Sequence, residues 1–442
     1  MHTVELINKY LFGVGVPILL ILSGAFFCFR LKFFHFLHPV KIVKSLFSGT
    51  KDDGVSSAKA VTLALAGTLG VGNMVGVASA IVLGGAGAIF WMWVSALLSM
   101  VLKYAEIVLA MLHRRFDREG RPHGAAMYYI LDFFKGKRAG TILAGVFAFF
   151  CILNAVSMGG MIQVNAAASA MKGTFGILPI TVGIFFAATA FFAMKKGSDG
   201  ILSFTEKLVP FMTVGFIVLS LAVIFRRPRE ASEALSLIFE EAFDFKSGIA
   251  GVGGFLLSDA LRFGTMRGII SNEAGCGTAP AAHAVSSCKE PAKQGVWGIF
   301  EVFVDTVVLC TLTAIVILTS FPDASGSSDN MMLTIDSYSN VLGGFAGCFL
   351  AIAVLCFGLA TVLCWGHYGM ESIAYFSSRS RAKKIFIFIY AVFIIVGSIL
   401  SPKIIWELAD LAIGAMTLIN LFILVAMNKE VKRETEEYFG RK

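Results

Sequence analysis

The chain has 442 residues, of which 57% are hydrophobic and 15% are charged. Soluble domains carry about 25% charged residues, so this composition excludes an ordinary soluble domain and predicts an all-α polytopic membrane protein. The net charge of +8 comes from short basic clusters between apolar runs, as in cytoplasmic loops, so we expect membrane lipid around the chain and no nucleic acid as a partner.

A membrane-spanning helix needs about 20 predominantly apolar residues, and the sequence contains eleven such runs. In chain order they are residues 9–29, 60–83, 88–112, 141–170, 177–194, 208–225, 247–270, 295–319, 345–376, 385–400 and 406–427. Two amphipathic stretches between them, 31–48 and 231–245, have the pattern of helices that lie on a membrane surface.

The basic residues predict which way these spans face. With the N-terminus outside, most of the 37 lysines and arginines fall in inner loops and in the C-terminal tail, as the positive-inside rule requires. The loop at 320–344 has none and is predicted to be external, whereas the cluster "RRPR" at 226–229 is an exception. We therefore expect a multi-pass protein of a prokaryotic plasma membrane, with its N-terminus outside and its C-terminus in the cytoplasm.

The second span contains a stretch that interrupts its helical pattern, "GTLGVGNMVG" at residues 67–76. Glycine favours unwinding, and a helix can unwind inside a membrane only where protein, ligand or water satisfies the freed backbone groups. Gly70, Gly72 and Asn73 lie near the middle of this span, so we predict a break there. Close helix packing is the alternative explanation for glycines in a span.

A second glycine-rich stretch, "AGVGGF", lies in the seventh span and contains Gly251, Gly253 and Gly254. Two interrupted spans at corresponding positions of two halves indicate the binding site of a secondary transporter, and an odd offset of five spans predicts repeats of inverted topology. Amides at one half-helix N-terminus suit a carboxylate, and carbonyls at a half-helix C-terminus suit a cation. The pattern predicts a site for a zwitterion and a small cation.

Several ionisable residues lie inside the predicted spans, where each needs a partner or a function. Lys103 and Glu106 are three residues apart on one helical face and are expected to pair, as are Asp259 and Arg262. Asp305 is interpreted as a buried acceptor that links helices, with a proton carrier as the alternative.

The sequence gives little support for an enzyme. His367 and Glu371 have the i, i+4 spacing of two metal ligands, but no third ligand accompanies them at a suitable spacing, and the common hydrolase and phosphate-binding motifs do not occur. A channel is also disfavoured, because the chain contains no repeated pore loop. We predict a transporter without a cofactor.

Long motifs in two regions are similar to those of a known family. They are "GTLGVGNMVGVASAIVLGGAGAIFWMWV" at 67–94 and "SNEAGCGTAPAAHA" at 271–284, the latter followed by "QGVWGIFEVFVDTVVLCTLTAIVIL" at 294–318. From about residue 60 to 427 the chain thereby resembles the alanine or glycine:cation symporter family. The resemblance implies a five-plus-five inverted repeat of the leucine-transporter type with one extra N-terminal helix. It also implies symport of a small neutral amino acid with a sodium ion, or alternatively with protons.

On this basis the chain divides into five parts. An N-terminal helix and basic linker (1–59) precede the first repeat (60–226), an external amphipathic connector (227–246) leads to the second repeat (247–427), and a cytoplasmic tail (428–442) follows. Each repeat would contribute one interrupted helix to the site.

The resemblance assigns substrate contacts to both interruptions. The amides of Gly72 and Asn73 would bind the carboxylate of the amino acid, and the backbone at Thr68 and Gly70 would lie against the substrate and the cation. The second interrupted span would contribute the backbone at Gly251, Gly253 and Gly254.

The resemblance assigns the sodium site to the backbone carbonyls of Thr68 and Val71 and to the hydroxyl of Thr361 in "FGLATVLCWGHYG" at 357–369. Ala360, beside Thr361, lacks the second hydroxyl that this fold often supplies. This departure leaves proton coupling as an alternative to sodium coupling.

Four further residues have a binding or gating interpretation beside a structural one. Gln163 and Trp365 either line the substrate pocket or stabilise helix packing, which in a membrane often uses polar side chains. Glu273 either closes a cytoplasmic gate by pairing with Arg267, or belongs to a capping and turn motif just beyond the inner end of the seventh span.

Overall fold

The structure, a computed structural model, describes residues 8–47, 57–116, 120, 122–195, 198–243, 258–324, 326–377 and 379–440. Within these ranges the chain is almost entirely helical, and its one small sheet is a hairpin of β1 (Arg115–Phe116) and β2 (Pro122–His123). The fold class predicted from composition and apolar runs is confirmed.

The helices are numbered in chain order. Those of the first half are α1 (Val16–Arg30), α2 (Phe34–Leu37), α3 (Pro39–Phe47), α4 (Ser57–Thr68), α5 (Val77–Gly84), α6 (Gly87–Leu112), α7 (Ala126–Phe133), α8 (Arg138–Asn154), α9 (Gln163–Phe175), α10 (Pro179–Lys195), α11 (Ser198–Arg226) and α12 (Pro228–Glu241). Those of the second half are α13 (Asp259–Asn272), α14 (Ala279–His283), α15 (Pro291–Val302), α16 (Thr311–Ser320), α17 (Asn330–Leu342), α18 (Gly344–Phe376), α19 (Ser380–Ile399), α20 (Pro402–Ala426) and α21 (Asn428–Gly440). The described π-helical segments that precede or join them are Asn8–Gly15, Gly72–Gly76, Ala155–Ile162 and Phe303–Cys310.

Among the described residues, eight helices are long and apolar enough to cross a membrane, or nine when α4 and α5 count as one bent span. These nine coincide with nine of the eleven predicted spans. The predicted fifth span corresponds to α10, a shorter apolar helix. The predicted seventh span, 247–270, is described only from residue 258 onwards.

Helix α6 is the most deeply buried spanning helix in the described part of the chain. Residues 259–288 follow it along its length. Near its first turn, Gly264 packs directly on the backbone carbonyl of Ala88, and just beyond its last turn Arg114 donates to the Ser286 carbonyl at 2.7 Å. The start of α6 contacts the start of this segment, and the end of α6 contacts its end. Residues 259–288 therefore run parallel to α6 through the helical bundle.

This path corrects the prediction for residues 271–284. The sequence analysis placed this motif in an inner loop, beyond the end of the seventh span. In the structure α13 ends at Asn272, whose carbonyl accepts a hydrogen bond from Lys103 in the second half of α6, and the motif continues the crossing. The prediction is wrong because the polar groups of the motif form hydrogen bonds with buried side chains of other helices. They therefore do not need the water that surrounds a loop.

The two predicted surface stretches are helical. Residues 31–48 correspond to α2 and α3, which pack on the C-terminal helix α21, where Lys41 donates to the Phe439 carbonyl at 2.7 Å. The second stretch corresponds to α12, and the Glu241 carboxylate at its end accepts from the Ala86 amide at 2.7 Å. This bond satisfies one of the free amides at the start of α6.

We expect Gly264→Ala to destabilise the protein, because the added methyl group would overlap the Ala88 carbonyl at the α6–α13 contact. Overpacking of this kind costs about 1–3 kcal/mol, which would lower the midpoint of thermal unfolding in detergent. The matched control is Gly145→Ala, since a methyl group there meets Phe376 at an ordinary 3.7 Å. Equal midpoints for the two variants would contradict the close packing of α6 and α13.

Candidate functional site

The first interrupted helix is bent at the predicted position. Helix α4 ends at Thr68, the π-helical turn begins at Gly72, and the two halves of the span are bent by 42°. Between them the Gly70 amide donates to the Thr68 carbonyl at 2.8 Å, and the Val71 amide donates to the side-chain oxygen of Gln163 at 3.1 Å. The break predicted from the glycines of this span is confirmed.

Gly70 is the point where two neighbouring helices touch this break. A Cβ atom at position 70 would lie 2.6 Å from the Thr361 hydroxyl and 2.8 Å from the Gln163 side-chain oxygen, so any larger residue would overlap them. Thr361 on α18 also donates to the Ala66 carbonyl at 2.9 Å. The structure therefore brings together four residues that the sequence analysis assigned to the site, namely Gly70, Val71, Gln163 and Thr361.

A second interruption occurs at residues 273–278. Helix α13 ends at Asn272, and α14 begins at Ala279. Between them, Glu273, Gly275 and Gly277 have φ values of 56°, 87° and 78°. A left-handed backbone of this kind cannot continue a right-handed helix, and glycine adopts it without steric cost. The interruption therefore follows from the glycine spacing of the "NEAGCG" stretch.

The first interruption contacts the helix that leads into the second. A Cβ atom on Gly72 would lie 3.5 Å from the Cα of Ser271, in the last turn of α13. The sequence analysis expected the second interruption at the glycines near residue 252 instead. Those glycines lie outside the described residues, and they are Gly251, Gly253 and Gly254.

Glu273 and Arg267 do not form the predicted gate pair. Glu273 is buried and accepts hydrogen bonds from the Trp365 indole at 2.9 Å and from the Thr278 hydroxyl at 2.8 Å. Arg267 instead pairs with Asp410 on α20 at 3.2 Å. Residues six positions apart on a helix face different directions, and the left-handed turn at Glu273 separates them further. The predicted pair is not formed in this conformation, and the position of Glu273 at the end of α13 agrees with the alternative interpretation as part of a turn motif.

Lys103 and Glu106 both bind the second interruption, and the predicted pair between them is wrong. Lys103 pairs with Glu301 on α15 at 2.9 Å, with both side chains almost completely buried, and also donates to the Asn272 carbonyl at 2.8 Å. Glu106 accepts from the Gly277 amide at 2.8 Å. The i, i+3 rule considers contacts along one helix, whereas these side chains face the freed backbone groups of a neighbouring helix.

Asp305 links three helical segments, as the preferred interpretation of this residue expects. Its carboxylate accepts from the Asn73 side-chain amide at 2.6 Å, from the Ser271 hydroxyl at 2.8 Å and from the Thr306 hydroxyl at 2.8 Å. The donors belong to the first interrupted span, to α13 and to the π-helical segment that contains Asp305. The Oδ1 atom of Asn73 is buried without a hydrogen-bond partner in the described structure.

A cavity of about 280 Å³ ends close to this site. Its buried lining includes Val75, one turn from the first interruption, and Ile162 and Ala166, which flank Gln163. Its exposed lining comes from the loop at 328–330 and from the first turn of α20. The cavity therefore extends from one face of the helical bundle to Val75, about one turn short of the bend of the first interrupted span.

Polar contacts tie together the helix ends at the opposite face. His123 of the hairpin lies 3.1 Å from the Glu371 carboxylate on α18. Arg114, after the last turn of α6, donates to the carbonyls of Ser286 and Cys288 at 2.7 and 3.2 Å. These contacts join the hairpin, α6, α18 and the chain after α14.

Within the described ranges, no group of three or more His, Cys, Asp or Glu side chains is arranged to hold a metal ion. His367, one of the two residues with metal-ligand spacing, lies 3.4 Å from the Ala281 carbonyl. Its potential partner Glu371 binds His123 instead.

Comparisons with known proteins identify a family and a fold. A sequence model of the sodium:alanine symporter family matches residues 1–442. The chain is 34% identical to the sodium/alanine symporter AgcS of Methanococcus maripaludis, over 98% of this chain and 96% of that protein. It is 32% identical to GlnT of Bacillus subtilis, named a probable sodium/glutamine symporter, over 100% of this chain and 91% of that protein. The crystal structure of MhsT in complex with L-phenylalanine matches with a TM-score of 0.63 at 13% identity, over 88% of this chain and 93% of that chain, which shows a fold of the leucine-transporter type.

We expect Lys103→Met to destabilise the protein, because it removes the ammonium that pairs with the buried Glu301 carboxylate and leaves that carboxylate with the His283 ring, 2.6 Å away. Breaking a buried ion pair costs about 3–5 kcal/mol, measurable as a lower midpoint of thermal unfolding in detergent. Adding Glu301→Gln should restore much of this loss, whereas adding Glu106→Gln should not. Rescue by the Glu106 substitution alone would show that Lys103 pairs along α6, against the contacts described above.

Proposed function

Because the chain belongs to the sodium:alanine symporter family, we propose that it takes up a small neutral amino acid, alanine or glycine, together with sodium. The protein is a multi-pass membrane transporter and not an enzyme. The observation that carries the proposal is the contact of the first helix interruption with the last turn of α13, just before the second interruption, together with a cavity that ends about one turn away. Interrupted helices near the middle of a membrane are where secondary transporters bind their substrate and coupling ion.

We place the substrate carboxylate at the start of the π-helical turn 72–76. The first N–H groups of a helix have no partner within it, and the helix dipole attracts anions to this end. Gly72 and Asn73 carry these amides, and Ser271 lies beside them. Asp305 accepts hydrogen bonds from the side chains of Asn73 and Ser271, so the turn is held in place before the substrate arrives. The carbonyls on the other side of the break, at Thr68 and Gly70, would then face the substrate ammonium.

We place sodium at the C-terminal end of α4, which carries the negative end of a helix dipole. The Thr361 hydroxyl reaches this end, where it contacts the Ala66 carbonyl. The Thr68 carbonyl accepts one backbone hydrogen bond, from the Gly70 amide, and keeps a second lone pair for a cation. The Val71 carbonyl already accepts from the Met74 and Val75 amides, so it is the less available of the two predicted ligands. The contact with Thr361 supports Ala66 as an additional ligand that the sequence analysis did not name.

Trp365 and its neighbours would limit the size of the transported side chain. Trp365 is completely buried, its indole is held by Glu273, and its ring packs on Gly159, where any side chain would overlap it. We propose that this fixed ring and Gln163 form walls of the substrate pocket. A rigid wall favours alanine or glycine over larger amino acids, because the pocket cannot widen without breaking the bond to Glu273.

We propose that this conformation faces outward. With the N-terminus outside, as the basic residues predict, the cavity opens to the outside and the His123–Glu371 contact lies on the cytoplasmic side. Arg267 and Asp410 pair near the cavity and are candidates for an outer gate in place of the predicted inner one. Inward movement of one sodium ion is favoured by about 2.3 kcal/mol per 100 mV of membrane potential.

Proton coupling is the second candidate mechanism, and Asp305 is the observation that favours it. Its carboxylate is completely buried beside the proposed carboxylate site, and the described residues show no ion pair to it. Two carboxylates at close range repel each other unless one is protonated or a cation lies nearby. Protonation of Asp305 would remove this repulsion, as would a sodium ion bound at the break.

We expect Thr361→Ala to raise the sodium concentration for half-maximal alanine uptake in proteoliposomes by about tenfold or more, since a hydrogen bond to a charged group contributes about 1.5–3 kcal/mol. The matched control is Thr313→Ala, which removes a buried hydroxyl that donates to the Leu309 carbonyl of its own helix. The control should keep the wild-type sodium dependence. Unchanged sodium dependence in the Thr361 variant would remove this residue from the ion site.

A second experiment imposes sodium and proton gradients separately on proteoliposomes supplied with labelled alanine. We expect accumulation with an inward sodium gradient at equal pH and none with a proton gradient alone, and we expect glycine to compete better than glutamine. Asp305→Asn should keep sodium-driven accumulation if sodium is the coupling ion. Accumulation driven by protons alone, abolished by Asp305→Asn while alanine exchange persists, would replace sodium coupling by proton coupling.

A further inference from the structure

An apolar groove lies between the N-terminal helix α1 and helix α20. Its volume is about 560 Å³. Leu22 and Phe422, one from each helix, are 60% and 58% exposed, which is typical of side chains that contact lipid on the outside of a helical bundle. The lining of the groove also includes Leu19, Phe26, Leu418 and Val425.

Basic side chains follow directly at one end of this groove. Arg30 lies four residues after Phe26 on α1, and Lys429 lies four residues after Val425, at the start of α21. Arg30 is therefore one helical turn beyond the groove on the same face of α1, whereas Lys429 lies just past the end of α20, in the first turn of α21. The Arg30 guanidinium donates to the Asn428 side-chain oxygen at 2.8 Å, which joins α1 to the start of α21 at this end.

These basic residues enclose a pocket of about 400 Å³. Basic side chains outnumber acidic ones in its lining, which consists of Arg30, Lys429, Lys432, Arg433, Glu436 and Glu437. Lys432 lies 3.5 Å from Glu436, so part of the positive charge is neutralised within α21. Arg30 and the exposed Lys429 remain as the positive charges closest to the groove.

We propose that the groove and the basic pocket together bind an anionic phospholipid, with an acyl chain along α1 and α20 and the phosphate between Arg30 and Lys429. An apolar groove alone would accept any acyl chain, and a basic cluster alone would attract any anion. Here the basic pocket, between α1 and α21, follows directly on the groove between α1 and α20, in the order in which headgroup and chain adjoin in a bilayer leaflet. Basic pockets between transmembrane helices bind acidic headgroups in this way.

The position of the lipid suggests its role. Helix α1 precedes both predicted repeats, and it contacts α20 along the groove and α21 through the Arg30–Asn428 bond. A bound acyl chain would fill the space between the two helices, and the phosphate would neutralise the positive charges that meet at their ends. The lipid would therefore stabilise the attachment of α1 to the rest of the bundle.

The test measures lipid binding to the delipidated full-length protein in neutral detergent by native mass spectrometry. Dioleoylphosphatidylglycerol and dioleoylphosphatidylcholine are titrated in parallel, and the wild-type protein should bind the first at least tenfold more tightly. Each basic residue near an anionic lipid contributes about fivefold to binding. Arg30→Gln/Lys429→Gln should therefore weaken phosphatidylglycerol binding by about 25-fold and leave phosphatidylcholine binding unchanged.

The matched control is Arg381→Gln/Lys384→Gln, which removes the same charge from exposed positions at the start of α19 and should change phosphatidylglycerol binding by less than twofold. Phe422→Ala, a substitution at an exposed position, should weaken binding of both lipids through the groove. An equal loss in the control, or equally tight competition by inorganic phosphate, would overturn the site. So would a dimer that covers the groove and excludes lipid.

Discussion

A backbone amide or carbonyl buried in a membrane must find a partner, because an unsatisfied group costs several kcal/mol there. Both helix interruptions meet this constraint with side chains from other helices. Gln163 binds the Val71 amide at the first interruption, while at the second Glu106 binds the Gly277 amide and Lys103 binds the last carbonyl of α13. The positions of α6 and α9 relative to the two breaks follow from these bonds.

The two interruptions differ in the charge of their partners. At the second, the Lys103 ammonium binds the carbonyl end of α13, and the Glu106 carboxylate binds the Gly277 amide ahead of α14. At the first, the partners of the backbone groups are the amide of Gln163 and the hydroxyl of Thr361, which are neutral, and the Asp305 carboxylate binds the side chain of Asn73 instead of its backbone. A half-helix end with neutral partners still attracts an ion, whereas an end that is bound by a lysine ammonium is already compensated. This difference supports the first interruption as the place for substrate and cation, and the second as part of its support.

Most spans and the first interruption could be predicted from the sequence, because run length and glycine content act within one segment. The second interruption could not, since Glu273 and Gly277 belong to a polar stretch that has the composition of a loop until its partners are known. Those partners, Lys103 and Glu106, come from a helix far away along the chain, and contacts between helices leave no spacing pattern. One cue was present: Glu301 is a charged residue in an apolar span with no basic residue three or four positions away on its own helix.

The first interrupted helix connects two groups of helices. Its α4 half is bound to α18, through Thr361 to the Ala66 carbonyl and through Cys364 to the Leu63 carbonyl at 3.1 Å. Its other half is bound to α13 and to the segment of Asp305 through Asn73. The bend lies between these two attachments, so a ligand at the bend contacts both groups at once. Any movement of one group relative to the other must change the geometry of the bend and hence its affinity, and by linkage a bound ligand must bias that movement equally. Coupling between binding and movement would then need no long-range pathway, because the ligand sits at the joint itself.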